Sequence, residues 1–179
     1  MVSMVIVLGG IIALVSVERS FIKEATQEVV ISQPKEIDSL IKGGEAPNFE
    51  LNDAEGNKVK RSDFLNQPLV LMFWATWNNV STDQVKILDD YLLSREGSEP
   101  FKLIAINSQE NQNQASDFIS RGGYKLDVLF DQNGEVSESY GVKTLPEFYF
   151  IDKDGVIKNL HIGPLSQDEM LLEAIPALR

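Results

Sequence analysis

Hydrophobic and polar positions change their spacing several times along this chain, and each change marks an element. Leu69 to Trp74 is an unbroken apolar run, the pattern of a strand buried on both faces. From residue 80 to 95 the spacing turns helical, with Gln84, Ile87, Leu88 and Tyr91 on one side. Phe101 to Ile106 reads as a second buried strand. Ala115, Phe118 and Ile119 mark another helix, ended by Gly122-Gly123. Leu126 to Phe130 is predicted as a strand and Glu135 to Tyr140 as a short helix. Glu147 to Asp152 follows as a strand, with Lys153-Asp154-Gly155 turning it back into Val156 to Ile162. Ser166 and Glu169 are spaced as a capping box for a final helix that stops at Pro176. Upstream, Phe49 to Asn52 and Lys58 to Lys60 form a hairpin about Asp53–Asn57, and Ser62 with Asp63 can cap a one-turn helix. Buried strands alternating with helices predict a central sheet covered on both sides.

The N-terminus differs in kind. Met1 to Val17 carries no charged side chain and is rich in Val, Ile, Leu and Met. As a helix it would span roughly 25 Å, at the short end of what crosses a bilayer. No basic residue precedes it, and Leu14 and Val15 stand where a cleavage site would want small residues. The stretch is therefore read as an uncleaved membrane anchor, with a cleaved signal and a buried helix as the alternatives. Residues 18–44 read as a juxtamembrane stalk, broken by Pro34 and closed by Gly43-Gly44, and residues 45–179 as the domain. Arg19 and Lys23 follow the anchor, and by the positive-inside rule alone they would put the domain in the cytoplasm.

Charge and composition narrow the chemistry. The 179 residues hold a formal net charge of −11, nearly all of it beyond the stalk, which disfavours contact with phosphate backbones. There is no cysteine, so disulfides, thiolate metal sites and thiol nucleophiles are excluded together. His161 is the only histidine, which leaves a zinc site with carboxylates for its other ligands, a rare set. No metal and no cofactor is expected. Ser81 as a hydrolytic nucleophile would need a base, and His161 falls on the distant C-terminal hairpin. The Asn79-Val80-Ser81 triplet fits a glycosylation acceptor but overlaps a helix start and is read as chance.

Several motifs, taken in order, resemble the membrane-tethered thioredoxin-like proteins of the TlpA/ResA type, part of the wider redoxin group. They are Ala46-Pro47-x-Phe49-x-Leu51 with Gly56, then Phe73-Trp74-Ala75-Thr76-Trp77, then Asp131-x-x-Gly134 and Tyr140-Gly141-Val142. Leu145-Pro146, Phe150-Ile151-Asp152-x-x-Gly155 and His161-Ile162-Gly163-Pro164-Leu165 complete the set. The resemblance covers residues 45–179. It implies a three-layer α/β/α thioredoxin-like fold around a central mixed sheet, and a domain held outside the cytoplasm, against the weak charge rule above.

The resemblance also implies thiol–disulfide exchange, which needs a thiolate at a helix start and a second cysteine one turn later. Here those two places hold Asn78 and Ser81, and a carboxylate that often lies three residues further on is matched by Gln84. All three have lost the reactive group. Asparagine is a strong N-cap, and Ser81-x-x-Gln84 fits a capping box, so the same residues suit a stable helix start. Pro146 after Leu145 stands where the family has a cis-proline, a geometry that leaves the backbone of the preceding residue unpaired and facing the tip. Trp77 would flank that groove.

The sequence therefore predicts a membrane-anchored thioredoxin-like module without dithiol chemistry. It would bind a protein or extended peptide through Trp77, Asn78, Leu145 and Pro146, with the domain extracytoplasmic and no nucleic acid involved. The alternatives are an oxidoreductase of the same type working with a partner's thiols or with its native cysteines replaced, and a purely structural membrane protein.

Overall fold

Leu69–Trp74 lacks any polar residue because it occupies the middle of the sheet, where both faces and both edges are covered. A computed structural model describes residues 42–95 and 98–179. In chain order the strands are β1 (Glu50–Asn52), β2 (Lys58–Lys60), β3 (Leu69–Trp74), β4 (Lys102–Ser108), β5 (Asp127–Asp131), β6 (Glu147–Ile151) and β7 (Ile157–Ile162). The helices are α1 (Asn79–Arg95), α2 (Gln112–Gly122), α3 (Glu135–Ser139) and α4 (Gln167–Ala174). One seven-stranded sheet results, ordered β2-β1-β5-β4-β3-β6-β7. β3, β4 and β5 run parallel, while β6, β7 and the β1–β2 hairpin join antiparallel. The sheet is mixed, as predicted.

Alternation along the strands sorts the core into two layers. Val70, Met72 and Trp74 point to the side packed by α1, α2 and α4, where Leu88, Ala115 and Met170 meet them. Leu71 and Phe73 point to the other side, covered by α3 and the segment leading into β1, through Val136, Tyr140 and Phe49. Helices therefore lie on both faces of the sheet. The ring of Phe73 lies 5.2 Å from Tyr140 and 5.7 Å, edge-on, from Tyr149. Burial above all, with Glu147 beside Tyr149, pushes both phenols well above the usual tyrosine range, so they remain neutral hydrogen-bond donors.

The start of the domain is tied down by polar contacts. Gly43 and Gly44, the last residues of the predicted stalk, already pair with Ile157. Buried Arg61 donates to Asn48 Oδ1 (2.9 Å) and Glu45 Oε1 (3.1 Å). Its guanidinium leaves no room beyond residue 155, where an added Cβ would come within 2.4 Å of Nη1 and φ is +86°. Only glycine fits that turn.

Several expectations need adjusting. Ser62 and Asp63 do not precede the short helix but sit inside a 3-10 turn, Arg61–Phe64, with Asp63 accepting from the Lys60 N–H (2.9 Å). β4 runs two residues further than predicted, to Ser108. α4 ends at Ala174, and Pro176 lies in a following 3-10 turn, Ile175–Ala177. A proline tolerates the first positions of such a turn because its missing N–H has no partner there in any case. Among the described residues no helix is long and apolar enough to cross a membrane. The predicted anchor (1–17) and the stalk up to residue 41 lie outside the described residues.

Candidate functional site

The chain leaves β3 at Trp74 and reaches α1 within five residues, so Ala75 to Asn78 form a short tip over the end of the sheet. Glu110, from the turn after β4, holds that tip from below. Its Oε2 accepts from the Thr76 backbone N–H (2.9 Å) and from Asn107 Nδ2 (2.8 Å), and the Thr76 hydroxyl meets its other oxygen. With Glu110 itself buried, charge-assisted bonds of this kind are strong enough to fix a loop. Trp77, next along, has no such tether among the described residues and is 65% exposed.

Asn78 is the N-cap of α1. Its Oδ1 accepts from the Ser81 N–H at 3.0 Å, and its carbonyl accepts the Thr82 N–H. The other end of the same amide reaches across the tip: Nδ2 donates to the Leu145 carbonyl at 3.2 Å. Leu145–Pro146 is a cis peptide bond, as the resemblance implied. The expectation that the backbone of residue 145 is left unpaired holds only for half of it. Its N–H has no partner among the described residues, but its carbonyl is taken by Asn78.

Ser81 and Gln84 do not form the predicted capping box. Ser81 lies inside the first turn of α1, fully buried, and its hydroxyl has no hydrogen-bond partner among the described residues. Ser81→Ala is therefore expected to leave stability unchanged or to raise it by about 1 kcal/mol, since a buried hydroxyl without a partner is unfavourable. Denaturant unfolding measures this, and a clear loss of stability would show that the hydroxyl is bonded. Gln84 faces inward from the next turn. Its Nε2 donates to the Leu165 carbonyl (2.9 Å) and its Oε1 accepts from the Leu165 N–H (2.7 Å). One neutral amide thus satisfies both main-chain groups of a residue in the segment between β7 and α4. The spacing of three residues was right for a capping box, but burial turned both side chains away from the helix start.

The structure brings Asn78, Leu145 and Pro146 together, with Trp77 adjacent in the chain and exposed. Pro146 also accepts the Gly163 N–H (2.9 Å), and Val80 and Ile162 are exposed on the elements that border this end. His161 stands apart on β7, 3.8 Å from Glu173, with nothing linking it to Ser81. Among the described residues no group of His, Asp or Glu could hold a metal ion. Sequence reasoning missed Glu110 and Glu147. Glu147 is buried directly after Pro146, 2.8 Å from Tyr149 Oη, and its place beside that proline was the one available clue. Glu110 gave none, because its partner Thr76 is 34 residues away.

These features agree with what the chain matches. The model of the AhpC/TSA family matches residues 43–160. A protein named Thiol-disulfide oxidoreductase ResA from Bacillus cereus (strain ATCC 10987 / NRS 248) is 28% identical over 156 residues, 87% of this chain and 82% of its own length. Another of that name, from Bacillus thuringiensis subsp. konkukian (strain 97-27), is 32% identical over 115 residues, 64% of this chain and 66% of its own length. Among solved structures, a putative thiol:disulfide interchange protein DsbE from Chlorobium tepidum superposes with a TM-score of 0.68 at 27% identity, covering 77% of this chain and 98% of that one. StoA from Bacillus subtilis shares the fold, with a TM-score of 0.62 at 21% identity, over 70% of this chain and 94% of its own. A thioredoxin-like domain without a cysteine, this chain nonetheless belongs to the AhpC/TSA family and is similar to proteins named ResA.

Proposed function

We propose that this protein is a membrane-anchored, redox-inactive thioredoxin-like module that binds an extended segment of an extracytoplasmic protein at the tip formed by Trp77, Asn78, Leu145 and Pro146. One observation carries the reading. Each place where the resemblance implies sulfur or a proton carrier is built into the fold as a neutral side chain: Asn78 as a cap, Ser81 sealed in the core, Gln84 bonded twice to Leu165. Neither an amide nor an un-ionised hydroxyl has a redox couple that could replace a dithiol. An exposed indole at Trp77, and a Leu145 backbone N–H with no partner among the described residues, are what a peptide-binding surface needs. The uncharged stretch Met1 to Val17 supports the anchor, and the resemblance supports the side of the membrane.

The alternative, an oxidoreductase acting with a partner's thiols, is favoured by the names of the ResA relatives. Two measurements separate them. The full-length protein is expected to show no insulin reduction and no peroxide turnover above buffer. A photo-crosslinker placed at position 77 in native membranes is expected to capture a discrete protein, and the same group on the far end of α1, at position 93, is not. Turnover that appears only when the captured protein is added back would establish the alternative, turnover by the cysteine-free protein alone would overturn both readings, and capture only at position 93 would move the binding surface off the tip.

A further inference from the structure

Resting on the groove reading above, we infer that Asn78 is an internal stand-in for the partner's main chain and sets how tightly the groove binds. An extended peptide that pairs with residue 145 exchanges two hydrogen bonds with it, accepting from its N–H and donating to its carbonyl. In this structure the donor half of that exchange is already supplied from within the chain, by Asn78 Nδ2 at 3.2 Å. The Leu145 N–H has no partner among the described residues. The resting tip is thus half occupied. It offers its donor, and of its acceptor only the lone pair that Asn78 leaves.

Displacement is not a free rotation. The Asn78 amide is planar, and its oxygen is at the same time the cap on the Ser81 N–H at 3.0 Å. Turning Nδ2 away from Leu145 swings Oδ1 off the helix start, so an incoming strand whose N–H takes the place of Nδ2 on this carbonyl breaks the cross-tip bond and disturbs the cap together. A partner that binds here must bring its own main-chain N–H to the Leu145 carbonyl, which selects an extended, non-proline residue at that point. Asn78 therefore acts as a positioning residue that weakens binding, opposite to what a simple contact residue would do.

A shorter cap separates the two roles. Serine ranks with asparagine as an N-cap but ends one atom sooner, so Asn78→Ser keeps the helix start and gives up Leu145. Asn78→Asp keeps size and cap and loses the donor. The test uses the full-length chain in lipid nanodiscs, with nitrogen-labelled leucine and tryptophan, titrated with blocked hexapeptides alternating valine and threonine. The shifts of the Trp77 indole and the Leu145 amide report binding. Asn78→Ser and Asn78→Asp are expected to bind roughly 3- to 10-fold more tightly than the wild type, the equivalent of one net hydrogen bond. N-methylation of the single peptide residue opposite Leu145 should abolish that gain. Equal or weaker binding by both variants, with the wild type binding, overturns the role of Asn78 and leaves the groove standing. Absence of any shift in all three proteins at millimolar peptide overturns the groove reading, and this inference with it.

Discussion

The Asn78→Cys/Ser81→Cys double variant is expected to acquire a reducible intramolecular disulfide and measurable insulin reduction, from a wild-type activity of none. The two positions are the N-cap of α1 and a residue in its first turn, already joined by the 3.0 Å bond from the Ser81 N–H to Asn78 Oδ1. A thiol at the N-cap would lie against the N–H groups of the first turn of α1, which have no carbonyl partner within the helix and favour the thiolate. Its pKa should fall about one unit or more below the free-cysteine value near 8.5, giving about tenfold more thiolate at neutral pH. Iodoacetamide alkylation as a function of pH reads that shift directly. Activity should remain below that of a dithiol enzyme with a nearby carboxylate, because Gln84 holds Leu165 and cannot take up a proton. If no disulfide forms under mild oxidation, the tip has drifted from the geometry that exchange requires. The scaffold would then have lost more than its sulfurs.

Gln84→Glu is expected to make stability strongly dependent on pH. A protonated carboxylic acid reproduces the glutamine pattern, with one O–H donor for the Leu165 carbonyl and one acceptor for its N–H. A carboxylate cannot. It would leave the carbonyl unpaired and face it with negative charge in a fully buried site. Burial and the facing carbonyl therefore raise the folded-state pKa of the introduced carboxyl above its unfolded value of about 4.3. With the raised value in the folded state, that state binds more protons between the two pKa values, so stability falls as pH rises through this window. Below about pH 4 both states are protonated and the variant should melt close to the wild type. At pH 8 the penalty should reach about 3 kcal/mol, on the order of 10 °C in Tm. Thermal melts of both proteins at the two pH values measure it. A difference that does not change with pH would mean that the side chain at position 84 is hydrated.

The same residue shows where sequence reading stops. The strands were legible because burial on both faces leaves no polar position in Leu69–Trp74, and the end of α2 because Gly123 adopts the left-handed conformation after it (φ 70°). The N-cap role of Asn78 was also legible, since it depends on four consecutive residues, Asn78 to Ser81. Ser81 and Gln84 were misread because a local spacing of three fits both a capping box and two inward-facing helix positions. What decides between them is Leu165, 81 residues further on. Glu110 and Thr76 are likewise joined only by the parallel pairing of β3 with β4, which sets Trp74 opposite Asn107. Side chains that meet through tertiary structure leave no periodic trace. The sites on this scaffold depend on such meetings more than its strands do.

The chain's two tryptophans stand three positions apart in opposite surroundings: Trp74 is sealed in the core against Phe118, and Trp77 projects into solvent. Emission from the molecule accordingly divides into a blue component, shielded from aqueous quenchers, and a red component open to iodide. Anything that settles on the tip dims or shifts the red light alone, whereas unfolding drags the blue toward it. Occupancy and integrity can thus be followed separately in one cuvette, without a label.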